Sequence, residues 1–187
     1  MSAAIGASAP ECYVWRLFIG LQSEPRLLVA LAYWCHYRDY CYPCLCHAVL
    51  GLGLGENLGL LLLTYVSSAK NHAFHQYTFG LFIVSAIAHM FFTCLLWQLT
   101  KKCTISVEEC KSYKWKWRLF LFNLLVFLLS ICAYFCHNWY CKAGVYTVFA
   151  FLEYLVIFSN MAFHMNSWWD FGNKELVVAS QLEEKHF

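Results

Sequence analysis

The chain is 187 residues long, 61% hydrophobic and 19% aromatic, with only 13% charged residues and a formal net charge of +2. Average soluble chains carry roughly twice that charged fraction, and a soluble fold of this size has no interior large enough to hide so many long apolar runs. The composition excludes a soluble domain and predicts an all-α, polytopic transmembrane helical bundle of about five spans, forming one membrane domain over 1–187.

The opening MSAAIGASAPECY lacks the basic and apolar regions of a signal peptide, and the chain has no N-x-S/T sequon. Residues 13–37 form the weakest span, with Pro25 and Arg26 near its centre. It reads either as one kinked helix or as a half-span after an interfacial segment, because proline removes a backbone donor. Arg26 then either snorkels to an interface or offers its fork of donors to a lipid phosphate or a buried Glu.

The second span, 46–66, carries Gly51, Gly55 and Gly59 at four-residue spacing, a ridge of small residues suited to close helix packing, with Glu56 and Asn57 at its centre. No strand precedes these glycines, so a phosphate-binding loop is rejected. The third span, 74–99, places Ser85, His89 and Thr93 on one face, and His75 sits at its mouth. The loop 100–116 holds Lys101, Lys102, Lys111, Lys114 and Lys116, with Arg118 just beyond it, against Glu108 and Glu109, so the positive-inside rule predicts that it is cytosolic. Its KSYKWKWRLF segment mixes basic and aromatic residues, but at the mouth of a span these are interface anchors, and no nucleic-acid partner is expected. The fourth span, 117–136, reads as apolar scaffold with Asn123 as its notable polar group.

The last span, 143–169, combines bilayer length (about 20 apolar residues suffice) with Glu153, Asn160 and His164. At about 100° per residue these three and Tyr146 fall within one narrow sector of the helix. Ionisable groups at membrane depth are costly and normally face a cavity or partner, so this stripe is the leading candidate site. Trp168 and Trp169 end the span as an interfacial belt, and 170–187 is a cytosolic polar tail. Five crossings put the amino terminus and His75 on the lumenal side, Glu56, His89 and Glu153 near the midplane, and His164 nearer the cytosol.

Eleven cysteines lie mostly in or beside apolar stretches, where a thiol behaves as a small hydrophobe. The C-x-x-C formed by Cys41 and Cys44 has no second pair at zinc-site spacing, so no metal is expected. Cys35, Cys41, Cys44 and Cys46 are candidates for palmitoylation, and Cys136 with Cys141 for a lumenal disulfide.

Several stretches carry a resemblance: YVWR at Tyr13, PRLLVALAYW at Pro25, ENL at Glu56, LTYVSS at Leu63, HM at His89, LTKK at Leu99, SYKWK at Ser112, HNWYCKAGVYT at His137, LEY at Leu152, NMAFHM at Asn160 and WWDFGNKEL at Trp168. In these the chain resembles the superfamily of small multispan proteins that includes the DRAM autophagy modulators, and within it the branch that remodels GPI-anchored proteins after anchor attachment. The family normally has a further span ahead of YVWR, so the chain looks like a shorter form lacking that span. The resemblance implies a multi-pass membrane protein of the Golgi, with the endoplasmic reticulum as the alternative compartment, acting on lyso-GPI, which is reacylated at sn-2 with a saturated, usually stearoyl, chain. Implied partners are membrane lipids and GPI-anchored proteins. No bound cofactor is expected, only an acyl donor, acyl-CoA or a phospholipid, as cosubstrate.

Acyl transfer to a lipid hydroxyl needs a base for its proton and donors for the oxyanion. Glu56, His89 and Glu153 are the catalytic candidates, and Arg26, His75, Tyr146, Asn160 and His164 the substrate-binding candidates, around one lumen-open cavity. His164 and Asp170 are separated by five residues, not the four of glycerolipid acyltransferases, and are set aside. Two alternatives remain beside this: a buried network that only fixes helix register, and a non-catalytic lipid-binding partner that presents substrate to a separate acyltransferase.

Overall fold

The computed structural model describes residues 10–38, 42–66, 71–100, 107–140 and 144–171, and these are helical but for residues at the helix ends, with no strand among them. Among the described residues the helices are, in chain order, α1 (Glu11–Tyr37), α2 (Pro43–Tyr65), α3 (His72–Thr100), α4 (Val107–Tyr140), α5 (Val145–Met165) and the short α6 (Ser167–Phe171). Four stretches, Pro43–Tyr65, Ala73–Thr100, Cys110–His137 and Val145–Phe171, are long and apolar enough to cross a membrane. α1 is as long, at 27 residues, but less apolar because of Arg16, Glu24 and Arg26.

The outward surface is that of a membrane protein. Leu17, Phe18, Leu21, Leu28, Leu58, Val84, Leu121, Leu125, Val148 and Phe158 are exposed, while Arg26, Glu56, Asn57, His89, Asn123, Glu153 and Asn160 are buried. Polar groups that hydrocarbon would exclude have been turned inward. An apolar core built from Ile19, Leu60, Leu63, Phe82, Ala86, Val126, Val156 and Ile157 joins all five long helices.

Of the two readings of the first span, one continuous helix is correct, with Pro25 inside α1. Beside the proline, Asn57 Nδ2 of α2 donates to the Ser23 carbonyl at 3.2 Å, which ties α2 to this weakened turn. The small-residue ridge on α2 holds in part. A methyl group on Gly59 would lie 3.0 Å from the Phe82 Cα, and one on Gly55 would lie 3.3 Å from Ser85 Oγ, so α2 and α3 touch closely there. Gly51 faces open space.

The largest departure from expectation concerns the basic loop. α4 starts at Val107, ten residues before the expected span, because Ser112, Lys116, Phe120 and Asn123 form a buried i, i+4 stripe along it. Lys116, expected at the interface, is 1% exposed and pairs with Asp170, expected in the polar tail. A positive charge inside a bundle is tolerated when its counter-ion is buried with it. Within the last apolar stretch, helix α5 ends at Met165, where the Asn166 N–H turns back onto the Ala162 and Phe163 carbonyls, and α6 then folds Asp170 onto α4. At its other end α5 starts from Gly144, whose φ of 91° is a left-handed conformation that glycine adopts without strain. The tail beyond 171 and the 101–106 stretch lie outside the described residues, as do Cys41 and Cys141. Cys35 and Cys44 are exposed and Cys46 is buried.

Candidate functional site

The eight candidate residues separate into two groups. The first is a closed ionic cluster midway along the bundle. Glu56 of α2 sits at its centre and is 1% exposed. Its Oε1 accepts from Arg26 Nη1 of α1 at 3.1 Å, from Asn160 Nδ2 of α5 at 2.9 Å, and lies 2.7 Å from His164 Nε2. Arg26 Nη2 in turn donates to Asn160 Oδ1 at 2.7 Å. His89 Nδ1 of α3 lies 3.0 Å from Glu56 Oε2, and the His89 and His164 rings stack with centroids 5.2 Å apart. Arg26 therefore pairs with a buried Glu and does not snorkel.

The local sequence explains how each side chain arrives there. Gly53 lies one turn from Glu56 and leaves room for His89, since a methyl group on it would stand 3.3 Å from His89 Nε2. Asn160 and His164 share one face of α5 because they are four residues apart. The closest backbone packing in the bundle is between chain neighbours, α1 on α2, α2 on α3, α3 on α4 and α4 on α5. α5 meets Glu56 and Arg26 across the bundle through these long polar side chains. Glu56, His89 and His164 each offer one metal-ligating atom, and the three atoms lie within 4.8 Å of one another.

The second group lines a cavity of about 540 Å³ between α3, α4 and α5. It contains His75, Glu153 and Tyr146, with Gln76, Ser130 and Tyr134 as further polar lining and Phe79, Ile83, Val84, Phe127 and Phe149 as apolar walls. His75 Nδ1 faces the Val66 carbonyl at 3.3 Å, so in the neutral ring the proton sits on Nδ1 and the acceptor lone pair on Nε2. A shallower and wholly apolar groove of about 460 Å³ shares Ile83, Val84 and Phe127 with this cavity and continues along α3 to Phe91 and Phe92.

The single cavity expected around Glu56, His89, Glu153 and Asn160 is thus two places. Glu153 lies seven residues before Asn160, about 10 Å nearer the start of α5 at a rise of 1.5 Å per residue. It lines the cavity with His75 and Tyr146, while Asn160, Glu56 and His89 do not. The polar stripe on α5 is real but serves both places.

A third polar group was not expected from sequence. Asp170 Oδ2 accepts from Tyr33 of α1 at 2.5 Å and pairs with Lys116 of α4, and Lys116 Nζ also donates to Tyr33 at 3.0 Å. Phe171 packs edge-on against Tyr33 at 4.8 Å. The aspartate immediately after two tryptophans was its one signal in the sequence.

Long apolar helices with inward-turned charges and a cavity opening between three of them define a multi-pass membrane protein. A family model described as the Frag1/DRAM/Sfk1/Cwh43P N-terminal domain matches residues 1–174, and the chain belongs to that family. It is 53% identical over 190 residues to a Xenopus tropicalis protein named acyltransferase PGAP2, covering 99% of this chain and 75% of that protein. A Danio rerio protein of the same name is 48% identical over 150 residues, covering 78% and 64%. A Caenorhabditis elegans protein named post-GPI attachment to proteins factor 2 is 34% identical over 200 residues, covering 100% and 74%. No solved structure matches significantly.

Proposed function

We propose that this protein works in GPI-anchor maturation at the Golgi membrane, reacylating lyso-GPI at sn-2 with a saturated, stearoyl-length chain. The observation that carries the proposal is the α3–α4–α5 cavity, whose polar lining includes His75 and Glu153, together with the apolar groove that shares Ile83, Val84 and Phe127 with it. From His75 to Phe92 the lining runs seventeen residues along α3, about 25 Å at the helical rise, the length scale of an extended stearoyl chain. Relatives named for acyl transfer and for post-GPI attachment support the same reading.

In this mechanism the substrate hydroxyl enters the cavity beside its polar lining. Glu153 or His75 Nε2 takes its proton as the oxygen attacks the acyl carbonyl. Tyr146, Tyr134 and Ser130 hydroxyls are the available donors for the oxyanion; as the tetrahedral centre collapses to the new ester, the donor's acyl C–S or C–O bond breaks and the leaving thiolate or lysophospholipid alkoxide takes the proton back from the base. Acyl-CoA and a phospholipid both fit as donor by this chemistry.

A second reading, lipid binding and presentation to a separate acyltransferase, is favoured by one observation. The densest polar cluster, around Glu56, is closed on itself instead of opening to the cavity. Purified protein in liposomes with lyso-GPI and a labelled acyl donor separates the two. Transfer by the wild type and loss of transfer in Glu153→Gln at unchanged folding supports catalysis. Lyso-GPI binding without transfer supports presentation, and neither binding nor transfer refutes both.

A further inference from the structure

We propose that Glu56, His89 and His164 form a binding site for a divalent transition metal, zinc foremost, enclosed at the centre of the bundle. Two imidazoles and a carboxylate converge there from three separate helices, α3, α5 and α2, and their ligating atoms fall within 4.8 Å of one another. Two His and one carboxylate is a set that zinc takes in catalytic sites, where a fourth position stays open for water or substrate.

The contacts themselves are close to the spacing of ligands around one ion. Glu56 Oε2 and His89 Nδ1 face each other at 3.0 Å with both side chains more than nine-tenths buried, and neither atom has a further hydrogen-bond partner beyond this contact. Each atom thus has one close partner, the other, and both can turn to a shared ion without breaking a second hydrogen bond. Ligands on neighbouring corners of a zinc tetrahedron, each about 2.0–2.1 Å from the ion, stand roughly 3.4 Å from each other. The two Glu56–His contacts, at 2.7 and 3.0 Å, are within about 0.7 Å of that spacing, and the widest pair of donors would close by up to about 1.4 Å, a distance that side-chain rotation covers.

The surroundings suit a ligand set. Arg26 and Asn160 both hold Glu56 Oε1, which fixes the carboxylate and leaves Oε2 directed toward His89. Partners of this kind orient ligands in metal sites. Arg26 also sets the charge balance. It already neutralises Glu56, so a divalent ion leaves two positive charges uncompensated, and the open position must hold an anion such as hydroxide or a phosphate oxygen. No sequence motif announces the site, because its three ligands come from distant parts of the chain.

The site is separate from the His75–Glu153 cavity, so its test does not depend on the acyl-transfer proposal. Full-length protein is purified into lipid nanodiscs without chelator, and metal content is measured directly and after dialysis against Zn²⁺ or Co²⁺. The expected result is about one ion per chain, with visible Co²⁺ absorption bands that a strong chelator abolishes. In the His89→Ala/His164→Ala variant occupancy should fall to about a tenth or less, while His47→Ala, which removes an exposed histidine, keeps it. Should the double variant not fold, the Glu56→Gln variant and the wild-type cobalt spectrum carry the test. Folded wild-type protein that takes up neither zinc nor cobalt, or binds them equally well without His89 and His164, overturns the proposal.

Discussion

Replacing Arg26 by Met is the sharpest test of whether the central cluster is a true charge pair. Met keeps much of the aliphatic stem and removes the guanidinium from a site where Arg26 is 6% and Glu56 1% exposed. Deleting one partner of a buried pair costs about 3–5 kcal/mol, mostly because the other charge is left stranded. Here Asn160 still donates to Glu56 Oε1 and His164 stays beside it, so the loss should be at the lower end, about 3 kcal/mol. For a chain of this length that is a fall in melting temperature of roughly 6–12 °C, readable by thermal melts of detergent-solubilised protein with size-exclusion detection. Glu56→Gln removes the stranded charge, so Arg26→Met/Glu56→Gln should melt above Arg26→Met alone. An Arg26→Met variant within about 2 °C of wild type, or a double variant whose loss equals the sum of the two singles, would refute the pairing argument.

Two glycines of the α2 ridge should behave oppositely. Gly59→Ala pushes a methyl group to 3.0 Å from the Phe82 backbone and should cost about 1–3 kcal/mol, whereas Gly51→Ala meets nothing and should gain up to about 1 kcal/mol from helix propensity; melting curves of both check this. Lys116→Met leaves Asp170 buried beside Tyr33 without its cation. It should release α6 and raise protease sensitivity near Trp168, while Asp170→Asn should do so less. Lyso-GPI reacylation in cells lacking the endogenous activity should drop at least about tenfold for Glu153→Gln at equal expression.

The bundle was legible because span length and apolarity are properties of contiguous residues. Runs such as LGLLLLTYV and LFLFNLLVFLL need no tertiary information to be read as membrane helices. The stripe on the last span was legible for the same reason, since helical periodicity alone aligns Tyr146, Glu153, Asn160 and His164. Periodicity could not say how far along the bundle each member meets its partners. Glu153 and Asn160 point the same way and still belong to different sites, because what faces them from α1, α2, α3 and α4 changes within two turns. Lys116 was misplaced by a rule about averages. Basic residues at a span mouth usually meet lipid headgroups, but Asp170 follows α5 by only a few residues and returns to meet this one.

The two sites share α5, and that gives the closed cluster a role in what the cavity does. Asn160 is anchored on both Arg26 and Glu56, and it lies two helical turns from Glu153 on the same face. Fixing a helix at one point through two hydrogen bonds fixes its rotation, and a helix rotated by even one residue would carry Glu153 about 100° out of the cavity. The Asn160 amide therefore positions a cavity residue that it does not touch. Asn160→Ala should weaken binding of a fluorescent lysolipid several-fold, although Asn160 is absent from the cavity wall. Restoring the amide one methylene out, as Asn160→Gln, should not rescue binding. Unchanged affinity in a folded Asn160→Ala protein would show that α5 holds its register without the cluster, and would leave the cluster to its own chemistry.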